Sequence, residues 1–121
     1  MFYWPHEDFF RSTQEIVEYY DFLFDDYYPM TEDGYILALY RVRHRNTREG
    51  APVVFLQHGI FDTGDCWIMN GEKSLAFRLA SAGYDVFLGN GRGNTYGLNH
   101  LKLKWWSWED SQTWADFSWK E

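Results

Sequence analysis

The hydrophobic and polar positions in the first half of the chain predict a short helix followed by a β-hairpin. The run Ser12-Thr13-Gln14-Glu15 is an S-x-x-E capping box, so we predict a helix that continues to about Tyr20. An aromatic-rich stretch then leads into Asp33-Gly34, a dipeptide typical of hairpin turns. Residues 35–42 are rich in β-forming side chains and should be the return strand, and residues 41–50 should form a polar loop.

The second half predicts a strand–helix–strand unit. Residues 52–56 form a short continuous apolar run, which suits a strand buried on both faces, as in a parallel sheet. Residues 84–88 are a second such strand, followed by a glycine-rich turn at 89–93. The helix between them should bury one face and end at a C′ glycine. Its positions are Leu75, Ala76, Leu79, Ala80, Ala82 and Gly83.

These elements place the chain in the α/β class, with a hairpin ahead of a parallel sheet. Residues 99–114 have no clear period and are predicted to be irregular. A chain of 121 residues is one domain or part of one, and aromatic residues at 21% are too many for a disordered chain.

The charge of the chain also limits its partners. The net charge is −7 and basic runs are absent, which argues against a nucleic-acid partner. No apolar run approaches the ~20 residues of a transmembrane segment, and the first residues lack the pattern of a secretory signal. Either the protein is intracellular or a segment precedes residue 1, and the composition does not decide between these locations.

Two loops should carry the chemistry, because open α/β sheets bind ligands beyond the carboxyl ends of their strands. The first loop, residues 57–65, opens with His58-Gly59 directly after a buried strand. A glycine there lets the backbone turn sharply, and the Ile60 N–H just beyond it is a candidate oxyanion donor for acyl transfer. Alternatively, His58 is a satisfied structural imidazole and Gly59 is merely a turn. The spacing leaves both interpretations open.

The second loop, residues 89–97, partly matches the G-x-G-x-x-G fingerprint of dinucleotide binding. Gly91 and Gly93 fit the fingerprint, but Tyr96 takes the third small position and Gly97 comes one residue late. A dinucleotide site is therefore disfavoured. Arg92, between the glycines, is a candidate anion clamp or a partner of loop carbonyls.

The remaining candidate chemistry is weaker. Cys66 has no activating partner in the sequence and should be a small packed side chain. Four histidines show no metal-ligand spacing, so we predict no metal site; they are His6, His44, His58 and His100. Four carboxylates should form a solvated edge; they are Asp25, Asp26, Glu32 and Asp33. Five tryptophans could stack a sugar or lipid chain, although packing is the commoner use; they are Trp105, Trp106, Trp108, Trp114 and Trp119.

Seven motifs follow one another along the chain: TEDGYIL at 31–37, PVVFLQHGI at 52–60, SLAF at 74–77, AGYDV at 82–86, LGN at 88–90, RGN at 92–94 and FSW at 117–119. In this order they resemble the N-terminal part of the acid lipase family, which includes gastric lipase and lysosomal acid lipase. The resemblance covers about residues 12–121. Two positions depart from it, since Gly91 stands where relatives usually have Ser and Lys120 where they usually have an acidic residue.

The resemblance implies an α/β-hydrolase fold and hydrolysis of lipid carboxylic esters, such as triacylglycerols or sterol esters, by a Ser–Asp–His triad without metal or cofactor. In that family the residue after Gln-His-Gly supplies an oxyanion-hole amide, which here is Ile60, with His58 and Gly59 shaping the loop. A secreted or lysosomal location and a peripheral contact with lipid interfaces are further expectations from the family.

The triad itself is expected outside these residues. No Gly-x-Ser-x-Gly nucleophile elbow occurs in the sequence, so residues 1–121 should be the N-terminal part of one hydrolase domain, inactive alone. Ser118-Trp119-Lys120-Glu121 is a second capping box, which predicts that Glu121 is a truncation point. The outer edge of the strand at 52–56 would then lack a partner. Two other hypotheses remain: a non-catalytic, aromatic-rich lipid-binding module from a shortened paralogue, and a nucleotide-binding βαβ domain.

Overall fold

The computed structural model describes residues 7–117, and its centre is a four-stranded mixed sheet beside a two-stranded one. In chain order the strands are β1 (Leu23–Tyr27), β2 (Tyr35–Ile36), β3 (Ala38–Arg43), β4 (Val53–Gln57), β5 (Asp85–Asn90) and β6 (Asn99–His100). The α-helices are α1 (Thr13–Tyr19), α2 (Leu75–Ser81) and α3 (Ser111–Trp114), with 3-10 turns at Glu7–Phe10, Gly64–Trp67 and Gly71–Lys73. The larger sheet has the order β1-β3-β5-β4.

Helix α1 begins at the predicted capping box. The Ser12 hydroxyl accepts from the Glu15 N–H at 3.3 Å, and the Glu15 carboxylate accepts from the Ser12 N–H at 2.7 Å. Ile16 and Val17 are buried against the sheet, and Tyr20 caps the C-terminus. The prediction of this helix is confirmed.

The hairpin turn predicted at Asp33-Gly34 is also confirmed, with Gly34 at a φ of 96°. The return strand, however, is interrupted at Leu37, whose N–H donates to the Pro29 carbonyl oxygen at 2.9 Å. As a result β2 pairs with β6 while β3 pairs with β1. The prediction of one strand over residues 35–42 is wrong at this break, and β6 and α3 correct the irregular prediction for residues 99–114.

Strand β3 continues to Arg43, so the loop predicted from residue 41 begins later. Every second residue of β3 is buried, and the alternate side chains lie on the other face. The arginines among them have acidic partners there: Arg41 forms a bidentate pair with Asp85, and Arg43 pairs with Asp25 at 2.5 Å. These ion pairs allow a basic sequence to remain in the strand.

The predicted βαβ unit is confirmed, because β4 and β5 are parallel neighbours and α2 connects them. Gly83, at a φ of 95°, is the C′ residue that ends α2. The buried face predicted for α2 is confirmed at Ala76 and Ala80, which are fully buried. It is wrong at Leu75, which is 44% exposed, and it omits Phe77, which is 1% exposed. Phe77 stacks on Phe22 with the ring centroids 4.7 Å apart, and this contact accounts for its burial.

Strand β4 is covered on one face only in the part of the chain described here. Val53 and Phe55 are 64% and 58% exposed, whereas Val54 and Leu56 are partly buried. The core lies on that second face, where α1 and α2 pack against the sheet. β4 is also the end strand of the sheet and has β5 as its neighbour. The expectation of burial on both faces is therefore wrong for residues 7–117.

Candidate functional site

The two predicted loops meet at the carboxyl ends of β4 and β5. They surround a cavity of about 460 Å³, which is lined by residues 58–63, 92–95 and Phe117. The Ile60 and Phe61 side chains are 86% and 101% exposed at its rim. A larger hollow of about 640 Å³ lies beside Tyr20, but none of the residues of the two loops line it. The strand-end cavity is therefore the candidate site.

His58 is hydrogen-bonded at both ring nitrogens. Its Nε2 lies 3.0 Å from the Gly91 N and 3.0 Å from the Asn94 Nδ2, and both of these groups are donors. Its Nδ1 lies 2.7 Å from the Gly59 carbonyl oxygen, which accepts. The network therefore assigns the proton to Nδ1 and leaves Nε2 as an acceptor. These bonds agree with the structural interpretation of His58, and they connect the first loop to the second.

Asn94 lines the cavity and is a member of the candidate site that the sequence analysis missed. Its Nδ2 also donates to the Asn90 Oδ1 at 3.0 Å, and its Oδ1 accepts from the Tyr96 and Gly97 N–H groups at 3.0 and 2.9 Å. A bond from a side-chain oxygen to the N–H two residues on is an Asx-type turn, for which Asn is a typical residue. An asparagine in a glycine-rich loop was therefore the sequence signal that could have predicted this turn.

Gly59 does not need the conformational freedom of glycine. Its φ is not among the positive ones, and a Cβ at this position would meet no atom within 4 Å. The residue with a left-handed backbone is Phe61, at a φ of 63°. The sharp turn that was expected at Gly59 therefore lies two residues later, while Gly59 contributes an open wall of the cavity.

Close contacts within the protein explain two glycines of the second loop, without the pyrophosphate of a bound dinucleotide. A Cβ at Gly97 would lie 2.3 Å from the Gly91 carbonyl oxygen, and a Cβ at Gly93 would lie 2.8 Å from the Phe117 Cζ. Gly93 also has a φ of 86°. The element after this loop is β6 and not a helix, so the residues described here lack the helix N-terminus of a dinucleotide site.

Arg92 lies in the wall of the cavity and pairs with Asp33. Its Nη1 donates to the Asp33 carboxylate at 2.7 Å, and its guanidinium lies 4.6 Å from the centre of the Tyr35 ring. A hydrogen bond from Thr31, together with Arg92, lowers the pKa of Asp33. Because the Asp33 carboxylate neutralises the charge of Arg92, the hypothesis that Arg92 binds an anionic ligand is disfavoured. Of the predicted solvated edge, Asp26, Glu32 and Asp33 are exposed and Asp25 is partly buried.

A polar cluster under the loops joins them to α1. The Asp65 carboxylate accepts from the Thr13 hydroxyl at 2.6 Å and from the Tyr96 hydroxyl. Burial and the bond to Asp65 raise the pKa of Tyr96, so this hydroxyl stays protonated and donates. This cluster, which the sequence analysis missed, connects three distant parts of the chain.

Other predicted candidates have different outcomes. Cys66 is an exposed residue, so the prediction that it is a packed side chain is wrong. Desolvation of the thiol and the nearby Asp62 carboxylate raise the pKa of Cys66 to about 11, which disfavours a nucleophilic role. No group of three His, Cys, Asp or Glu side chains comes together as metal ligands within residues 7–117. His6, Trp119 and the capping box that begins at Ser118 lie outside the described residues.

The described tryptophans divide into two groups. Trp114 is 9% exposed, and its carbonyl oxygen accepts from the Tyr35 hydroxyl at 2.7 Å. Trp105, Trp106 and Trp108 are 44%, 65% and 96% exposed. Packing therefore accounts for the first, and the other three form an exposed aromatic segment.

Comparison with known proteins gives consistent matches. A family profile described as a partial alpha/beta-hydrolase lipase region matches residues 13–71. The chain is similar over 115 residues to Lipase member K of Mus musculus, at 47% identity, and to the Lysosomal acid lipase/cholesteryl ester hydrolase of Homo sapiens, at 42%. It is 43% identical over 115 residues to the Gastric triacylglycerol lipase of Rattus norvegicus. Each of these alignments covers 91% of this chain and 28% of the relative, so the chain spans about a quarter of their length.

Proposed function

The chain belongs to the acid lipase family of α/β-hydrolases, and on this premise we propose that it forms the N-terminal part of a lipid carboxylic-ester hydrolase domain. The names of two relatives, a cholesteryl ester hydrolase and a triacylglycerol lipase, define the substrate class of the proposal as triacylglycerols or sterol esters. The order of the sheet supports it, because the parallel β4 and β5 end beside each other at the cavity.

The observation that carries the proposal is the state of the Ile60 N–H. Ile60 lines the cavity beyond β4, and its N–H takes no part in the hydrogen bonds among residues 7–117. A fixed backbone N–H without a partner is what an oxyanion donor requires, since the developing negative charge of acyl transfer becomes its acceptor. The proposal therefore assigns this donor role to the Ile60 amide and the shaping of the loop to His58 and Gly59.

The other catalytic groups are proposed to come from residues outside these 121. The sequence contains no Gly-x-Ser-x-Gly, so it lacks the elbow on which such hydrolases carry their nucleophile. Without a nucleophile, a general base and an orienting carboxylate, an oxyanion donor has no reacting atom to act on. The 121-residue chain should therefore have no esterase activity of its own.

A chimaera tests this function. The aligned N-terminal segment of the human lysosomal acid lipase is replaced by the 115 matched residues of this chain, and hydrolysis of a p-nitrophenyl ester is measured. The proposal expects a saturable activity in the chimaera and none in the 121-residue chain alone. A folded but inactive chimaera would contradict the hydrolase role. An esterase activity of the 121-residue chain alone that a stoichiometric inhibitor abolishes would contradict the proposal that the other catalytic groups lie outside these residues.

A second candidate function, contact with a lipid surface, is favoured by the exposed tryptophans. Aromatic side chains with a polar edge suit the boundary between water and lipid. We therefore propose a peripheral contact through the exposed Trp105, Trp106 and Trp108. No helix in the described part of the chain has the length and apolar character to span a bilayer. The hypothesis of a non-catalytic lipid-binding module depends on the same surface.

Vesicles distinguish the two hypotheses. Tryptophan fluorescence of the 121-residue chain is recorded while phosphatidylcholine vesicles containing triolein are added. A blue shift that is smaller in Trp108→Ala than in the control Trp67→Phe would support the lipid contact, since Trp67 is only partly exposed. Binding combined with an inactive chimaera would favour the non-catalytic module, and the absence of any shift would exclude it.

The location is the last part of the proposal. One relative is named as lysosomal, and we extend a lysosomal or secreted location to this protein. Expression of the full gene product with a C-terminal tag, followed by microscopy with a lysosomal marker and analysis of the medium, tests it. A purely cytosolic signal would contradict this location.

A further inference from the structure

The direction of the Ile60 N–H is set by the peptide unit that joins Gly59 to Ile60. In a planar trans peptide the carbonyl oxygen and the N–H point in opposite directions, and the structure has no cis peptide among the described residues. The Gly59 carbonyl oxygen accepts from the His58 Nδ1–H at 2.7 Å and from the Asp62 N–H at 3.3 Å. By holding this oxygen, His58 holds the N–H at the other end of the same plane.

The His58 ring is held in turn from the second loop. Its Nε2 receives the Gly91 N–H and the Asn94 Nδ2–H, each at 3.0 Å. These two donors require an unprotonated Nε2, so the ring proton must lie on Nδ1, where it reaches Gly59. The tautomer that fixes the Gly59–Ile60 peptide therefore depends on what faces the opposite side of the ring.

Only one orientation of the Asn94 amide fits its surroundings. Its Oδ1 accepts from the backbone N–H groups of Tyr96 and Gly97, which cannot become acceptors. Its Nδ2 must therefore be the atom that faces His58 and the Asn90 Oδ1. All the hydrogen-bonding capacity of the side chain is used, which prevents an amide flip.

We propose that Asn94 is a positioning residue that fixes the direction of the Ile60 N–H through the tautomer and orientation of the His58 imidazole. Its catalytic meaning rests on the proposed oxyanion role of Ile60, whereas its geometry does not. An aspartate at this position would keep an acceptor for Tyr96 and Gly97 but would present a second acceptor to His58. The imidazole would then carry its proton on Nε2, or it would carry a proton on each ring nitrogen.

The experiment is nitrogen NMR on the ¹⁵N-labelled 121-residue chain at neutral pH. Long-range ¹H–¹⁵N correlations of His58 report which ring nitrogen carries a proton. In the wild type we expect a protonated Nδ1, an unprotonated Nε2 and a coupling across the hydrogen bond between the Gly91 nitrogen and Nε2. Asn94→Asp should protonate Nε2, remove that coupling and shift the Ile60 amide resonance. The control Asn99→Asp, an exposed change on β6, should leave all three unchanged.

Two results would overturn the proposal. One is a wild-type His58 with a proton on Nε2, and the other is a folded Asn94→Asp chain with the wild-type tautomer and an unshifted Ile60 amide. If Asn94→Asp does not fold, the wild-type tautomer and coupling decide alone. In the active chimaera, Asn94→Asp should lower kcat about tenfold to a hundredfold with KM unchanged, because a small misplacement costs this much. Should the NMR result hold while kcat is unaffected, the oxyanion role fails and the positioning geometry stands.

Discussion

At the scale of single residues, the backbone at Gly97 crosses so close to Gly91 that no side chain fits between them. A Cβ at Gly97 would stand 2.3 Å from the Gly91 carbonyl oxygen and 3.2 Å from the Arg92 Cα, all of them backbone atoms. Backbone cannot rotate away as a flexible side chain does, so the whole loop must shift. The loop that orients His58 thus depends on a glycine outside any recognised motif.

We expect Gly97→Ala to destabilise the chain by about 1–3 kcal/mol, the usual cost of overpacking a well-packed site. The matched control is Gly59→Ala, where the new Cβ meets nothing within 4 Å, and which should change stability by less than ~0.5 kcal/mol. Urea unfolding of both variants gives the comparison. Equal stabilities would contradict the close contact at Gly97.

A pH dependence is expected at Tyr20. Its hydroxyl donates to the Asp8 carboxylate at 2.6 Å, and this bond, with burial, raises the pKa of Tyr20 from 10.0 to about 12. The folded chain holds this proton more tightly than the unfolded one, so the stabilisation is complete below pH 10 and is lost as pH rises through about 12. Between pH 9 and a pH above 11, the free energy of unfolding should fall less steeply in Tyr20→Phe than in the wild type. Identical slopes would contradict the bond.

The site residues differ in how far the sequence could predict them. His58 and Ile60 are found from their place directly after an apolar run, because a strand end fixes where the next residues lie. Asn94 and Asp65 were missed, since their partners lie 36 and 31 residues away in sequence and no local pattern predicts such contacts.

At the scale of elements, α1 shows how a local signal determines a boundary. Both halves of its capping box are formed, so Ser12→Ala should cost about 1 kcal/mol of stability. The control is Ser81→Ala, an exposed serine in the last position of α2, which should be neutral within ~0.5 kcal/mol. Denaturant unfolding checks both, and a neutral Ser12→Ala would contradict the role of the box.

The hairpin and the parallel β4–β5 pairing were predictable, but the β2–β6 pairing and the full buried face of α2 were not. The capping box, Asp33-Gly34 and Gly83 are local signals, and each is where the sequence predicts it. The break at Leu37 and the burial of Phe77 in α2 accompany contacts with distant residues, namely the β2–β6 pairing and the stacking of Phe77 on Phe22. Tertiary contacts therefore override periodicity at these two places.

At the scale of the whole molecule, the sheet has one apolar border. β4 combines exposed Val53 and Phe55 with a position at the end of the sheet, and such edges favour association between chains. We expect Val53→Lys to reduce self-association of the 121-residue chain in sedimentation velocity, because a lysine blunts an edge. Leu101→Lys, at a residue 60% exposed on another segment, adds the same charge and should not. Equal association in both variants would contradict the role of the edge.

The central claim is that the backbone N–H of Ile60, and not its side chain, is an oxyanion donor of a lipid-ester hydrolase. In the active chimaera, Ile60→Pro removes this N–H, while Ile60→Leu keeps it and changes a side chain that is 86% exposed. Loss of one such donor lowers kcat by a factor of about 10²–10³. The kcat of Ile60→Pro should therefore fall by this factor, and the kcat of Ile60→Leu should remain near that of the parent chimaera. A folded Ile60→Pro chimaera with the kcat of Ile60→Leu would contradict the claim.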